Sequence, residues 1–482
     1  MRSLLLFVIW CGLFFGLSSF QVNLPDVPAP NKPNVIFILA DDLGYGDLGF
    51  LGQKHIKTPN LDLLAARGML FSNHYAGAPV CAPSRSALLT GLHTGHTPIR
   101  GNFEIQPEGQ YPMPDTLLTL GKIFQQAGYR TAAFGKWGLG FVGTTGDPSN
   151  QGFDHFFGYN CQRYAHRYYP AYLWENQQQV PLLGNDWTTK TTFAPDLIHQ
   201  KSLEFMEANQ HQPFFLFLPL VMPHAELAVP EDEVFQYYRT KFGEESSHIA
   251  PSGGDYGPEM VIPGYQSQPY PRATFAAMVA RIDRYVGEIV SKLEALGISE
   301  NTLLVFTSDN GAHREGGADP LFFDSNGPFR GFKRDLYEGG IHVPLVARWP
   351  EKIKAGSQSG HVAAFWDWLP TLADAIGAAS PAGIDGISFL PTLLDAGNQQ
   401  QPDHLYWEFH ESGGRQALRK GDWKLVKYQV QDAAKTTVEL FDLANDPEER
   451  NNVALDHPAR LAELEILMQK AHRPNPVFRQ LD

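Results

Sequence analysis

The sequence predicts an α/β fold: a large, mostly parallel central sheet flanked by helices, with a small antiparallel-sheet subdomain at the C-terminal end. Three observations predict it. Continuous apolar runs of strand length recur through the first 350 residues, as strands buried on both faces require. Amphipathic helical stretches lie between them, the alternation that covers a parallel sheet with helices. From about residue 400, short strand-like runs succeed one another instead.

Met1-Arg2 leads into an apolar run from Leu4 to Leu17, followed by Ser18-Ser19. A charged start, an apolar core and small residues describe a secretory signal peptide over residues 1–20. The run is short for a membrane span of about 20 residues. Export to the periplasm or the medium is therefore expected, with no stable membrane insertion after cleavage.

Val35-Ile36-Phe37-Ile38-Leu39 reads as the first buried strand, and Phe214–Leu218, Leu303–Phe306 and Val343–Ala347 follow, with a weaker run at Thr131–Phe134. Thr58 and Pro59 open a helix that Gly68 stops. Across Ala273–Leu296, the residues Met278, Ile282, Val286, Ile289 and Leu293 share one helical face. Leu405–Phe409, Trp423–Tyr428 and Val438–Phe441 make the C-terminal strands, before a helix near Pro458–Ala471. Polar Asn398–Asp403 separates a large region, residues 31–397, from a C-terminal subdomain, residues 402–482.

Hydrophobic residues are 43% and charged residues 19%, which excludes a disordered or collagen-like chain. The 38 basic against 52 acidic residues, net −14, speak against a nucleic-acid partner, which asks for a basic face. Three cysteines, one of them in the leader, provide no disulfide scaffold.

Ligands in open α/β sheets bind beyond the carboxyl ends of the strands. Asp41-Asp42, Lys136, Pro223-His224 and Asp309-Asn310 all follow such strands directly. Each has an ordinary reading as a turn or cap. Together they bring carboxylates, an amide, a lysine and a histidine to one sheet edge. Carboxylate and amide oxygens suit one Ca²⁺ or Mg²⁺ rather than a soft metal. In Cys81-Ala82-Pro83-Ser84-Arg85, continuing to Gly91, Pro83 suits a first helical turn and Gly91 a stop. Cys81 then sits at a helix start, with Arg85 one turn on. A thiolate nucleophile with an anion clamp, or a buried inert cysteine, both fit.

Cys81-Ala82-Pro83-Ser84-Arg85 resembles the Cys-x-Pro-Ser-Arg motif of the formylglycine-dependent, type I sulfatases. Gly128-Tyr129-Arg130-Thr131 leading to Gly135-Lys136-Trp137 is similar to that family's second motif. Asp41-Asp42, Ser308–Gly311, Gly327–Lys333 with Glu338-Gly339-Gly340, Gly421–Leu425 and Glu439–Leu443 look like the family too, in its order. The resemblance covers essentially the whole chain after the leader.

The resemblance implies the alkaline-phosphatase-like sulfatase fold and an arylsulfatase-like sulfuric ester hydrolase. It implies that a maturation enzyme oxidises Cys81 to formylglycine, whose hydrate attacks sulfur with one hydroxyl and ejects sulfate with the other. Such catalysis splits hydrolysis into two easier steps. By position, Asp41, Asp42, Asp309, Asn310 and the modified Cys81 would bind one Ca²⁺. Arg85 would hold the ionised nucleophile, Lys136 and Lys333 the sulfate oxygens, and His224 sulfate or the leaving alcohol oxygen.

One departure stands out. Where much of the family continues Lys-x-His, this chain has Gly138. His166 either takes over the proton from the second hydroxyl or lines a substrate loop. Arg100, Asn102, Arg167, Trp174, His313 and His410, with Glu411, lie in polar or aromatic loops suited to a sulfated carbohydrate. Two other functions fit the same residues. One is a phosphate or phosphonate monoester hydrolase of the superfamily; the other is a Ca²⁺-dependent pseudoenzyme that binds sulfated glycans through an unmodified Cys81.

Overall fold

A computed structural model describes residues 32–106, 108–186, 189–251, 265–479 and 481. The signal-peptide reading of residues 1–20 lies outside them. Ten strands form one sheet in the order Ser357–Ser359, Met69–Phe71, Leu345–Arg348, Thr302–Ser308, Asn34–Ala40, Phe214–Pro219, Arg130–Lys136, His155–Tyr159, Tyr172–Glu175, Gln178–Pro181. From Thr302–Ser308 to His155–Tyr159 neighbours run parallel, while Leu345–Arg348 and the last two strands pair antiparallel. The predicted fold class is the observed one.

The pleat explains why the central strands are apolar without alternation. Ile36 and Ile38 feed the core on one face of the sheet, while Val35, Phe37 and Leu39 feed the other. Leu304 and Phe306 against Leu303 and Val305 repeat the division. A period of two splits one continuous run between two helix-covered layers. The long helix Pro271–Ala295 supplies one layer through Met278, Ile282, Val286, Ile289 and Leu293.

The C-terminal sheet has four strands, Leu405–Phe409, Arg415–Lys420, Trp423–Tyr428 and Thr437–Asp442, all antiparallel. The strand Arg415–Lys420 is unforeseen in the sequence because its charged residues hide the pattern. Arg415 pairs with Asp335 at 2.8 Å and Arg419 bonds the Tyr75 hydroxyl. Leu405, Trp407, Ala417, Val426 and Phe441 face a core shared with Tyr75, Leu336 and Trp366. Tyr406, Leu418, Leu425 and Leu440 meet Leu464 and Met468 of the helix Pro458–Ala471. Among the described residues no helix is long and apolar enough to cross a membrane.

Candidate active site

Register sets the carboxylates side by side. Ala40 pairs with Ser308, which brings Asp41-Asp42 level with Asp309-Asn310. The Asp309 amide donates to the Ala40 carbonyl at 3.0 Å, and the Asp42 amide to Asp309 Oδ1 at 3.1 Å. Lys136 ends its own strand two positions across the sheet. Gly135 before it has φ +135°, and a Cβ there would fall 1.9 Å from the Pro219 carbonyl. Only glycine lets the chains close at that point. His224 follows Phe214–Pro219, and Lys333 comes from the loop before Glu338–Ile341, its amide donating to the Ala312 carbonyl at 2.8 Å.

Cys81 opens the fully buried helix Cys81–Thr90, and Gly91 ends it. Ser84 ties the helix to the strand end, its hydroxyl donating to the Asp309 carbonyl at 2.6 Å. Cys81 Sγ then lies 3.2 Å from Asp41 Oδ1, 4.0 Å from Asp42 Oδ1 and 3.4 Å from Lys136 Nζ. Lys136 Nζ donates to Asp41 Oδ2 at 2.7 Å. Lys333 Nζ donates to Asp42 Oδ2 at 2.7 Å and to His224 Nε2 at 2.9 Å. Arg85 grips Asp309 Oδ2 through Nε at 3.1 Å and Nη2 at 2.9 Å, and its Nη1 bonds the Lys136 carbonyl. The imidazole of His166 stacks on that of His224, with centroids 4.7 Å apart.

Charge decides what these groups can be. Burial and the Asp41 carboxylate push the Cys81 thiol well above its usual range. An unmodified Cys81 is therefore a neutral thiol at pH 7, the wrong state for a nucleophile. Burial lowers His224 and His166 well below the usual imidazole range, and the two lysines lower them further. Both rings are neutral. Burial and the neighbouring Asp41 raise Asp309 to about 7. Burial would raise Asp42 too, but Lys333, His313 and Lys136 outweigh it and hold it at about 2.

The donor set fits a hard dication. Ligand atoms of Asp41, Asp42, Cys81 and His224 lie within 4.8 Å of one another. Asn310 Nδ2 donates to Asp42 Oδ1 at 2.7 Å, while Asn310 Oδ1 is buried with no hydrogen-bond partner among the described residues. An orphaned amide oxygen beside crowded carboxylates is what a Ca²⁺-type ion satisfies.

The sulfatase family model matches residues 33–378, and a second, described as N-sulphoglucosamine sulphohydrolase, C-terminal, matches residues 327–472. The chain belongs to the sulfatase family. N-acetylgalactosamine-6-sulfatase of Canis lupus familiaris is 33% identical over 407 residues, 78% of this chain and 69% of that one. N-acetylgalactosamine-6-O-sulfatase of Bacteroides thetaiotaomicron is 27% identical over 517 residues, 91% and 93% of the two chains. The crystal structure of Ps i-CgsB in complex with k-i-k-neocarrahexaose superposes with TM-score 0.75 at 28% identity, over 94% of each chain. This sulfatase is accordingly an enzyme of the sulfuric ester hydrolase class.

Within the sulfatase, the structure brings together Cys81, Arg85, Lys136, His224, Lys333, His166, Asp41, Asp42, Asp309 and Asn310. His313 stacks on His224 at 5.9 Å, and its Nε2 bonds the Pro223 carbonyl. Asn102 Oδ1 accepts from the Ala82 amide at 3.1 Å, one residue past Cys81. The other predicted substrate residues have framework partners. Arg100 is buried against Glu408 at 2.7 Å, Arg167 against Glu226 at 2.5 Å, and Trp174 Nε1 donates to Glu108 at 2.9 Å. His410 Nε2 also bonds Glu408, at 2.8 Å. Among the described residues, Arg100, Trp174 and His410 make no hydrogen bond or ion pair to the Cys81 cluster.

Two residues of the sulfatase site escaped sequence reasoning. Glu315 lies 3.5 Å from Lys333 Nζ, pairs with Arg334 and accepts the Tyr265 hydroxyl at 2.6 Å. Tyr265 in turn lies over His166, centroids 5.3 Å apart. Glu315 follows Asp309 by six positions in the loop after the strand, which is the only sequence signal for it. Gly138 has φ +75°, and a Cβ there would fall 2.7 Å from Gln162 Cγ. Gln162 thus occupies the space of the side chain the family motif would place.

Proposed function

We propose that this sulfatase removes sulfate from a sulfated carbohydrate, using formylglycine made from Cys81 by a maturation enzyme and one Ca²⁺. The observation that carries the reading is the surroundings of Cys81 Sγ. Lys136 stands 3.4 Å away, and Lys333 lies across Asp42 from it. Asp41, Asp42, Asp309 and Asn310, with the modified residue, would hold the ion. Bound there, it supplies charge that polarises a sulfate oxygen and favours an ionised nucleophile. The hydrated aldehyde supplies two hydroxyls, one to attack sulfur and one to release sulfate. The relatives named for N-acetylgalactosamine sulfate and the neighbour holding a neocarrahexaose support a carbohydrate substrate.

The chain's own residues divide the remaining work. Lys136 and Lys333 bind the sulfate oxygens and stabilise the charge that develops as the ester bond breaks. His224 Nε2 accepts from Lys333 Nζ at 2.9 Å and so holds that ammonium as the hydrogen-bond donor to the leaving oxygen. His166, kept neutral by burial and the two lysines, accepts the proton of the second hydroxyl. Arg85 holds Asp309 in place and offsets its charge. Export by a leader over residues 1–20 accords with a polymer substrate met outside the cytoplasm.

Mass spectrometry of the Cys81 peptide, from protein made in its native host, tests the proposal. The result expected is formylglycine together with turnover of an aryl sulfate in preference to the matched aryl phosphate. An unmodified thiol in a host that matures other sulfatases would sink the proposal and leave a binding protein.

A further inference from the structure

Beside the Cys81 helix lies a cavity of about 300 Å³, lined by Gly101, Asn102, Phe103, His410, Glu411 and Phe478, together with Val477. It touches the reaction centre through Asn102, which accepts from the Ala82 amide. Its walls come from segments far apart in sequence. The Tyr111 amide donates to the Phe103 carbonyl at 2.8 Å. Residues His410 and Glu411 follow the first C-terminal strand, and Phe478 belongs to the chain's last turns.

The chemistry of this lining is specific. Phe103 is 48% exposed, an unusual fate for phenylalanine, and is braced by Tyr111 at 5.9 Å and Phe478 at 6.4 Å. A braced, exposed aromatic face suits the apolar face of a pyranose ring. His410 is 3% exposed, and its Nε2–H donates to Glu408 at 2.8 Å. Its Nδ1 is buried with no hydrogen-bond partner among the described residues. Glu411 Oε1 accepts from the Asn102 amide at 3.0 Å, which leaves Oε2 as a second acceptor.

The Glu411 carboxylate on this lining calls for hydroxyl donors. A sulfate offers only acceptor oxygens and negative charge, and the described residues of the lining include no lysine or arginine to meet it. Arg100, next in the chain, is spent on Glu408. We infer that this cavity is a neutral-sugar subsite: it takes an unsulfated pyranose ring of the substrate, stacked on Phe103 and hydrogen-bonded through a hydroxyl to Glu411. The inference rests on the carbohydrate sulfatase reading above, and adds that a second sulfate on the neighbouring ring is rejected.

Three probes test it: 6-O-sulfated N-acetylgalactosamine linked to galactose, the same disaccharide with a second sulfate on the galactose, and p-nitrophenyl sulfate. The monosulfated disaccharide is expected to have the higher kcat/KM of the two sugars. Phe103→Ala should lower the ratio of its kcat/KM to that of p-nitrophenyl sulfate about fivefold. Glu411→Lys should shift the preference toward the disulfated sugar about tenfold. Binding is read separately, by saturation-transfer NMR of the unsulfated disaccharide on Cys81→Ala protein, where Phe103→Ala should abolish the signal. Equal kcat/KM for the two sugars, or ratios that neither substitution moves, would overturn the subsite. Failure of every sulfate ester to turn over would defeat the sulfatase chemistry, and the NMR result would then decide the subsite alone.

Discussion

Lys333 and Asp42 stand 291 residues apart in the chain and meet at 2.7 Å, both buried. Each neutralises the other's burial. Asp42 stays ionised because Lys333 is there, and Asp42 with Glu315 raises the lysine well above its usual range despite burial. A buried pair of this kind is costly to break from one side, because the remaining charge is left uncompensated.

Lys333→Ala removes a sulfate ligand and strands Asp42. The expected loss in kcat is about 10²–10³-fold, the usual cost of deleting one donor to a developing oxyanion. Steady-state kinetics with an aryl sulfate measures it. Lys333→Arg should not restore the rate, since a planar guanidinium is bulkier than the buried ammonium that sits 2.7 Å from Asp42 and 2.9 Å from His224.

His166→Ala should leave sulfur transfer intact and block release. With an aryl sulfate, the variant is expected to show one burst of phenol per active site and then almost no turnover. Full steady-state turnover would instead make His166 a loop residue, and the general base would have to be sought elsewhere.

Removing the cation with EGTA should lower both activity and the melting temperature, and Ca²⁺ should restore both. Three carboxylates crowd the site, and an ion held at 1,000 times its dissociation constant contributes about 4 kcal/mol. Calorimetry across a Ca²⁺ titration reads the effect directly.

Gly138→Ala probes why the family histidine is missing. A left-handed backbone costs a non-glycine residue about 1–2 kcal/mol, and the new Cβ would press on Gln162. Denaturant melts should show at least that loss. Gly138→His should not improve turnover, because Gln162 holds the space.

Acid stability should report on Glu408. Burial raises this carboxyl, but the bonds from His410 and His472 and the charge of Arg100 outweigh it, lowering it from 4.5 to about 2. A depressed carboxyl contributes stability above its unfolded value and loses it as pH falls through the folded one. Between pH 4.5 and 2 the protein should therefore lose about 3 kcal/mol that Glu408→Gln does not lose. Chemical denaturation of both proteins across that range checks the difference in slope.

Much of this was legible in the sequence because it is local. The apolar runs around Ile36, Phe217 and Val305 announce strands, since burial on both faces leaves no polar position to alternate with. Strand ends announce the site, since parallel strands all deliver their next residues to one edge. Cys81 through Arg85 announces a helix start, and its family resemblance supplies the chemistry. Other features depend on distant partners and leave no local trace. The strand Arg415–Lys420 hides its pattern behind charges that only Asp335 and Tyr75 explain. Arg100 and Arg167 look like ligand-binding residues until Glu408 and Glu226 arrive beside them. Glu315 and Tyr265 join the site only because the fold brings them to Lys333 and His166. Local backbone preference and hydrophobic period are written along the chain; which buried charge meets which is decided only when the sheet closes its register.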